Sequence, residues 1–111
     1  MISSSEFIRG YSEILVLAIL YKKDSYVYDL VHTIEELTAG QIVISNPSLL
    51  LIIRKMQEEG KVNSYEKMNE KGVYRKYYTL TELGKSVYKK TKDDFNSSLL
   101  AMSKIIKGEF W

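Results

Sequence analysis

Two pairs of adjacent cations are placed where they could do chemistry: Arg54-Lys55, in an otherwise apolar stretch, and Arg75-Lys76, opening the run Arg75-Lys76-Tyr77-Tyr78-Thr79-Leu80. Such groups neutralise phosphates, and an arginine can also give two parallel hydrogen bonds to one base edge. Lys71, four residues before Arg75, extends the second pair into a cluster. The clustering matters because the net charge is only +2 and residues 1–80 are charge-neutral. Attraction for a polyanion would have to be local. Each pair also has a plainer reading. Arg54 and Lys55 could pair with Glu58 and Glu59 on the same helix, and Arg75 and Lys76 could protect a strand edge from aggregation.

Covalent and acid–base chemistry find less support. Asp93 and Asp94 are neighbours, and on a helix neighbours point about 100° apart, poorly placed to share a proton. His32 is the single imidazole and cysteine is absent, so no metal site closes around it. Disulfides, thiol catalysis and zinc fingers drop out together. No glycine-rich phosphate loop or nucleophile motif is present. The expectation is a non-enzyme without metal or cofactor. The nine tyrosines invite an aromatic ligand pocket, but Tyr11, Tyr28 and Tyr88 read more simply as core or interface residues.

The elements that would carry these residues follow from periodicity. With 111 residues, 45% hydrophobic, and one proline, the chain fits a single folded unit. Its longest nearly unbroken apolar run, Ile14 to Tyr21, is too short to span a bilayer. The amino-terminal flank carries Glu6 and a single arginine, unlike a secretory signal, so a cytoplasmic chain with no membrane partner is expected. Phe7, Tyr11, Ile14, Leu15, Ala18 and Ile19 recur at helical steps over residues 6–21. Asp24 or Ser25 is the expected cap of a second helix over residues 25–38, with Tyr26, Leu30, Ile34 and Leu37 as its apolar stripe. Ala39-Gly40 ends it, and Ile42-Val43-Ile44 reads as a brief extended segment. Asn46-Pro47 looks like a cap followed by proline at the first helical position. Leu49, Ile52, Ile53 and Met56 then form a core stripe, with Ser48, Leu51, Arg54 and Lys55 nearer solvent and Gly60 as the stop.

Residues 61–80 read as a hairpin turning at Asn69-Glu70-Lys71-Gly72, with Tyr78 and Leu80 on one face and Arg75, Tyr77 and Thr79 on the other. Thr81 caps a last helix running to about residue 107. Phe95, Leu99, Met102 and Ile106 repeat at four, three and four residues, a seam for a partner helix. Helix, helix, helix, basic hairpin, helix is the order of a winged helix-turn-helix. The fold class expected is mainly α (α+β), a winged helix-turn-helix with a long carboxy-terminal dimerisation helix. Residues 1–80 would be the DNA-binding domain and 81–111 the dimerisation helix, in one compact unit.

Three segments resemble the PadR family of bacterial winged-helix regulators: Leu15 to Leu20 leading to Tyr28-Asp29-Leu30; Ser48-Leu49 through Arg54 to Gly60; and Arg75-Lys76-Tyr77-Tyr78-Thr79-Leu80-Thr81-Glu82-Leu83-Gly84. The resemblance covers roughly residues 12–110, and the last segment is its most specific part. It implies a homodimeric regulator, most often a repressor, on a double-stranded DNA operator. Ser48, Leu50, Arg54 and Lys55 would face DNA from the third helix, and Lys71, Arg75 and Lys76 from the wing. A dimer interface built from Phe7, Tyr11, Phe95, Leu99, Met102 and Ile106 is implied by the short branch of the family. Family members usually carry glycine where Val27 stands, and glycine, threonine and tyrosine at the positions of Pro47, Ser48 and Leu50. Ser48 keeps a hydroxyl, whereas Leu50 replaces a phenol and is suited to a thymine methyl, which implies an A·T-rich operator. Some relatives respond to phenolic acids or flat cationic drugs, making a small aromatic effector a candidate partner. The single tryptophan, Trp111, lies at the chain end rather than within the final helix. The competing reading is a winged-helix protein-interaction module that has lost DNA contact, which Leu50 and Leu51 would suit if both were exposed.

Overall fold

The computed structural model describes the backbone from residue 4 to residue 111 and the side chains from residue 11 onward. Its elements are α1 (Ser4–Lys22), α2 (Val27–Leu37), α3 (Asn46–Glu58), β1 (Val62–Met68), β2 (Tyr74–Leu80) and α4 (Glu82–Ile106). The two strands pair antiparallel with Val62 opposite Leu80 and Met68 opposite Tyr74. This is a winged helix-turn-helix with a long carboxy-terminal helix.

One core organises these pieces. Val16, Leu17 and Leu20 of α1 meet Leu30 and Ile34 of α2, Leu49, Ile53 and Met56 of α3, and Val62, Tyr78 and Leu80 of the hairpin. All are buried, so the wing is welded to the helices at its base rather than attached by a hinge. Gly84 shows how closely α4 is seated on that base. A Cβ there would collide with the Lys61 carbonyl, so the position has no room for a side chain. Lys61 adds a polar clamp, donating to Glu13 of α1 at 3.0 Å and to Glu59 at 3.1 Å. Burial works against its charge, but the two carboxylates outweigh that and hold its pKa above the ordinary value.

Several sequence expectations shift. Neither Asp24 nor Ser25 caps α2; Tyr26 occupies that position with no side-chain bond. Both are drawn into tertiary contacts. Asp24 accepts from the Tyr65 hydroxyl at 2.7 Å, and the Ser25 backbone pairs with Tyr78 along the free edge of β2. Ile42-Val43-Ile44 forms no strand; Ile44 plugs the core while Val43 stays exposed. The stripe of α2 ends at Ile34, because Leu37 is 73% exposed where the chain turns away through Ala39 and Gly40. The cap of α3 is Ser45 rather than Asn46, its Oγ accepting from the Ser48 amide at 3.2 Å. Pro47 still sits in the first turn, where a missing N–H has no intrahelical bond to lose. Thr81 caps α4 as expected, accepting from the Gly84 amide at 3.1 Å.

Candidate nucleic-acid interface

The third helix and the wing meet at a concavity of about 500 Å³, walled by Leu50 and Arg54 of α3, Arg75, Lys76 and Tyr78 of β2, and Tyr26 and Tyr28 at the start of α2. Four of the seven residues proposed to face DNA, Leu50, Arg54, Arg75 and Lys76, therefore share one surface. The other three lie apart. Lys55 is exposed on the flank of α3 and Lys71 at the hairpin tip, and neither lines the concavity. Ser48 is exposed, but its amide and hydroxyl are both engaged by Ser45, at 3.2 and 2.8 Å.

Packing decides how each cation is presented. Glu59 is drawn away to Lys61, its hydrogen bond there pulling its pKa below the usual carboxylate value. Arg54 and Lys55 are thus left without an ion pair among the described residues. Arg75 lies over the rings of Tyr26 and Tyr28, at 5.5 and 5.9 Å from their centres. A guanidinium stacked on two aromatic faces is held in place while its edge stays free to donate. Arg54 stands close enough to Tyr78 for its charge to oppose the effect of burial, which raises the phenol's pKa.

Leucines 50 and 51 separate. Leu50 is half-buried in the wall of the concavity, whereas Leu51 is 67% exposed on the outer face of α3. Exposure of both would have suited the interaction-module reading, and only Leu51 is exposed.

The surface also includes residues that sequence reasoning missed. Tyr28, expected in the core or an interface, is 51% exposed beside Arg75. Tyr26 and Asn46 line the same concavity. Their signal was faint: a helix start of mixed polarity gives no periodicity to read, and the bridge from Ser25 to β2 that brings Tyr26 to the wing is tertiary.

Residues 16–90 match the transcriptional regulator PadR-like family. The chain belongs to that family. Among solved structures it is similar to a transcriptional regulator from Clostridium thermocellum, with 29% identity, 94% of this chain and 97% of that one covered, and a TM-score of 0.78. It is likewise similar to a PadR family transcription regulator from Clostridium difficile, at 26% identity over 86% and 98% of the two chains, TM-score 0.71. A third, PadR of Bacillus subtilis in complex with operator DNA, shares the fold at 20% identity and a TM-score of 0.61, over 70% of this chain and 43% of that one. Members of the PadR-like family are regulators of transcription, so this chain is a regulator and not an enzyme.

In this PadR-like regulator the far side of the wing is aromatic. Tyr77 stacks on Tyr65 with ring centres 5.7 Å apart, meets Tyr26 edge-on at 5.2 Å, and has the Lys67 ammonium 4.7 Å from its ring. Tyr77 has the strand parity expected of the solvent face, yet it is buried because these neighbours cover it. Burial, with the nearby Tyr26, Glu70 and Asp29, raises its pKa. The Asp24 hydrogen bond and burial push Tyr65 up to about 12.

The residues proposed for the PadR-like dimer contact are partly engaged within the chain. Tyr11 packs edge-on against Phe95 at 5.7 Å and donates to the Met102 sulfur at 3.7 Å. Leu99 and Met102 remain 38% and 39% exposed, and Ile106 81%. The Phe7 side chain lies outside the described residues. Tyr88 packs on Tyr21, ring centres 4.9 Å apart, on the same α1–α4 contact. Among the described residues, no group of three His, Cys, Asp or Glu could hold a metal ion, and no helix is long and apolar enough to cross a membrane.

Proposed function

We infer that this regulator is a cytoplasmic homodimeric repressor that binds a pseudo-palindromic double-stranded DNA operator. The observation that carries the reading is the convergence of Leu50, Arg54, Arg75 and Lys76 on one concave surface between α3 and the wing. Each α3 would enter a major groove, while the wing cations meet the flanking backbone, with half-sites about one helical turn (~10 bp) apart. The operator-bound PadR of Bacillus subtilis, which has the same fold, supports this use of it. The partner subunit would dock along α4 and α1, where Leu99 and Ile106 leave apolar surface uncovered. A small aromatic effector would act where α4 meets α1, by changing the distance between the two recognition helices.

Gel-shift titration of the purified protein against selected and random duplexes over a range of salt tests the reading. Arg75→Ala and Lys76→Ala should weaken binding about equally across operator variants, because phosphate contacts carry no sequence code. Each should lower the salt slope by about one. Unchanged affinity and slope in the double variant would reduce the wing cations to surface charge.

A further inference from the structure

Leu51 occupies the middle of the outward face of α3. The buried side of that helix is marked by Leu49, Ile53 and Met56. Opposite them, at steps of four, three and four, stand Pro47, Leu51, Arg54 and Glu58, all exposed. Pro47 and Leu51 have no side-chain donor or acceptor, and the neighbouring Ser48 is committed to the helix cap. Whatever this turn of α3 meets first, it meets with a leucine that is 67% exposed.

We propose that Leu51 is a specificity-determining residue that packs against thymine C5 methyl groups in the major groove. The inference rests on the reading that α3 enters DNA. Among base edges in that groove, only thymine presents an apolar group. Against any other edge the leucine would strip water from polar atoms without replacing their hydrogen bonds. Against the methyl it removes apolar surface from water on both sides. The surroundings favour DNA over an apolar protein partner. Arg54 and Lys55 follow on the next turn, Leu50 is turned into the concavity, and no second large apolar side chain accompanies Leu51 on the outer face of α3. A single leucine bordered by cations suits a polyanion that carries methyl groups; a protein-binding patch needs a contiguous apolar area. Leu50, the leucine suggested by sequence for this role, is half-buried in the wall of the concavity, and Leu51 is the one that projects.

The test begins with duplexes selected by the full-length protein from a random library. The selected duplex is resynthesised with deoxyuridine for thymidine, which removes only the methyl groups. Wild type should bind the uracil duplex more weakly by about fourfold per methyl buried, the equivalent of ~0.8 kcal/mol each. Leu51→Ala should still bind, through Arg54 and the wing, but bind both duplexes equally. Leu37→Ala, which removes a similarly exposed leucine at the end of α2 and outside the candidate surface, should keep the discrimination. Equal wild-type affinity for the two duplexes, or discrimination that survives in Leu51→Ala, overturns the inference while leaving DNA binding intact. Failure of wild type to bind any duplex at low salt overturns the DNA reading itself, and this inference with it.

Discussion

Asp24 and Tyr65 show what one tertiary hydrogen bond does to a residue's chemistry. Tyr65 donates to the carboxylate at 2.7 Å, and that bond, with burial and the negative charge of Asp24, moves the phenol from 10.0 to about 12. A group whose folded pKa lies above its unfolded value stabilises the fold fully below the unfolded value and ceases to do so as pH rises through the folded one. The contribution from Tyr65 should therefore be intact below about pH 10 and disappear by about pH 12. In a spectrophotometric titration of the folded protein, the late tyrosinate component should be smaller by one tyrosine in Tyr65→Phe than in wild type. Asp24→Asn should bring it to lower pH. A titration unaltered by either change would show the pair to be unformed in solution. The same scale holds the contrast between Leu50 and Leu51. Five consecutive apolar residues, 49–53, cover every side of a helix; the core stripe set Leu51 nearer solvent but left open how far Leu50 is covered.

At the scale of the element, α3 owes its start to Ser45. Its hydroxyl oxygen accepts the Ser48 amide and donates to the Ser48 hydroxyl, fixing the turn that precedes Leu50 and Leu51. Loss of such a cap costs about 1 kcal/mol. Ser45→Ala should lower unfolding stability by roughly that amount in urea titrations at fixed protein concentration, with Asn46→Ala costing distinctly less. The reverse ranking would return the cap to Asn46, where the Asn-Pro pattern places it. The wing depends on its turn in a similar way. The Asn69 side-chain oxygen accepts from the amides of Lys71 and Val73 at 3.0 and 2.9 Å, and Gly72 takes a positive φ of 80°. Asn69-Glu70-Lys71-Gly72 was legible as a turn because its own residues supply those bonds and that conformation.

Across the whole molecule, α4 is the element with surface to spare. It is 25 residues long, and its carboxy-terminal half keeps Leu100, Ile105 and Ile106 at least 63% exposed. Phe95 and Met102 are satisfied in part by Tyr11, so this chain's own α1 takes part of the seam read from sequence, and the exposed Leu99 and Ile106 are what remains for the proposed second subunit. Sedimentation at micromolar concentration should give twice the chain mass, and Leu99→Asp should shift it toward the single-chain mass. A folded wild-type monomer under those conditions would remove α4 as a dimerisation element.

The sequence by itself determined the order of elements, the hairpin turn, the α4 cap and the buried stripe of α3. Each of these is a local matter: helix and strand periods, a capping hydroxyl and a turn glycine act within a few residues of chain. The family was legible as well, because Arg75 to Gly84 joins the wing to α4 through positions with one job each, down to a glycine pressed on the Lys61 carbonyl. Tertiary structure alone decided the rest. It took Asp24 and Ser25 from capping α2 and gave them to the wing, covered Tyr77 on a face that parity left open, and exposed Tyr28 beside Arg75. It also turned Leu50 partly inward, into the concavity between α3 and the wing. These outcomes depend on contacts between separate elements, and such contacts leave no periodic trace in the chain that makes them.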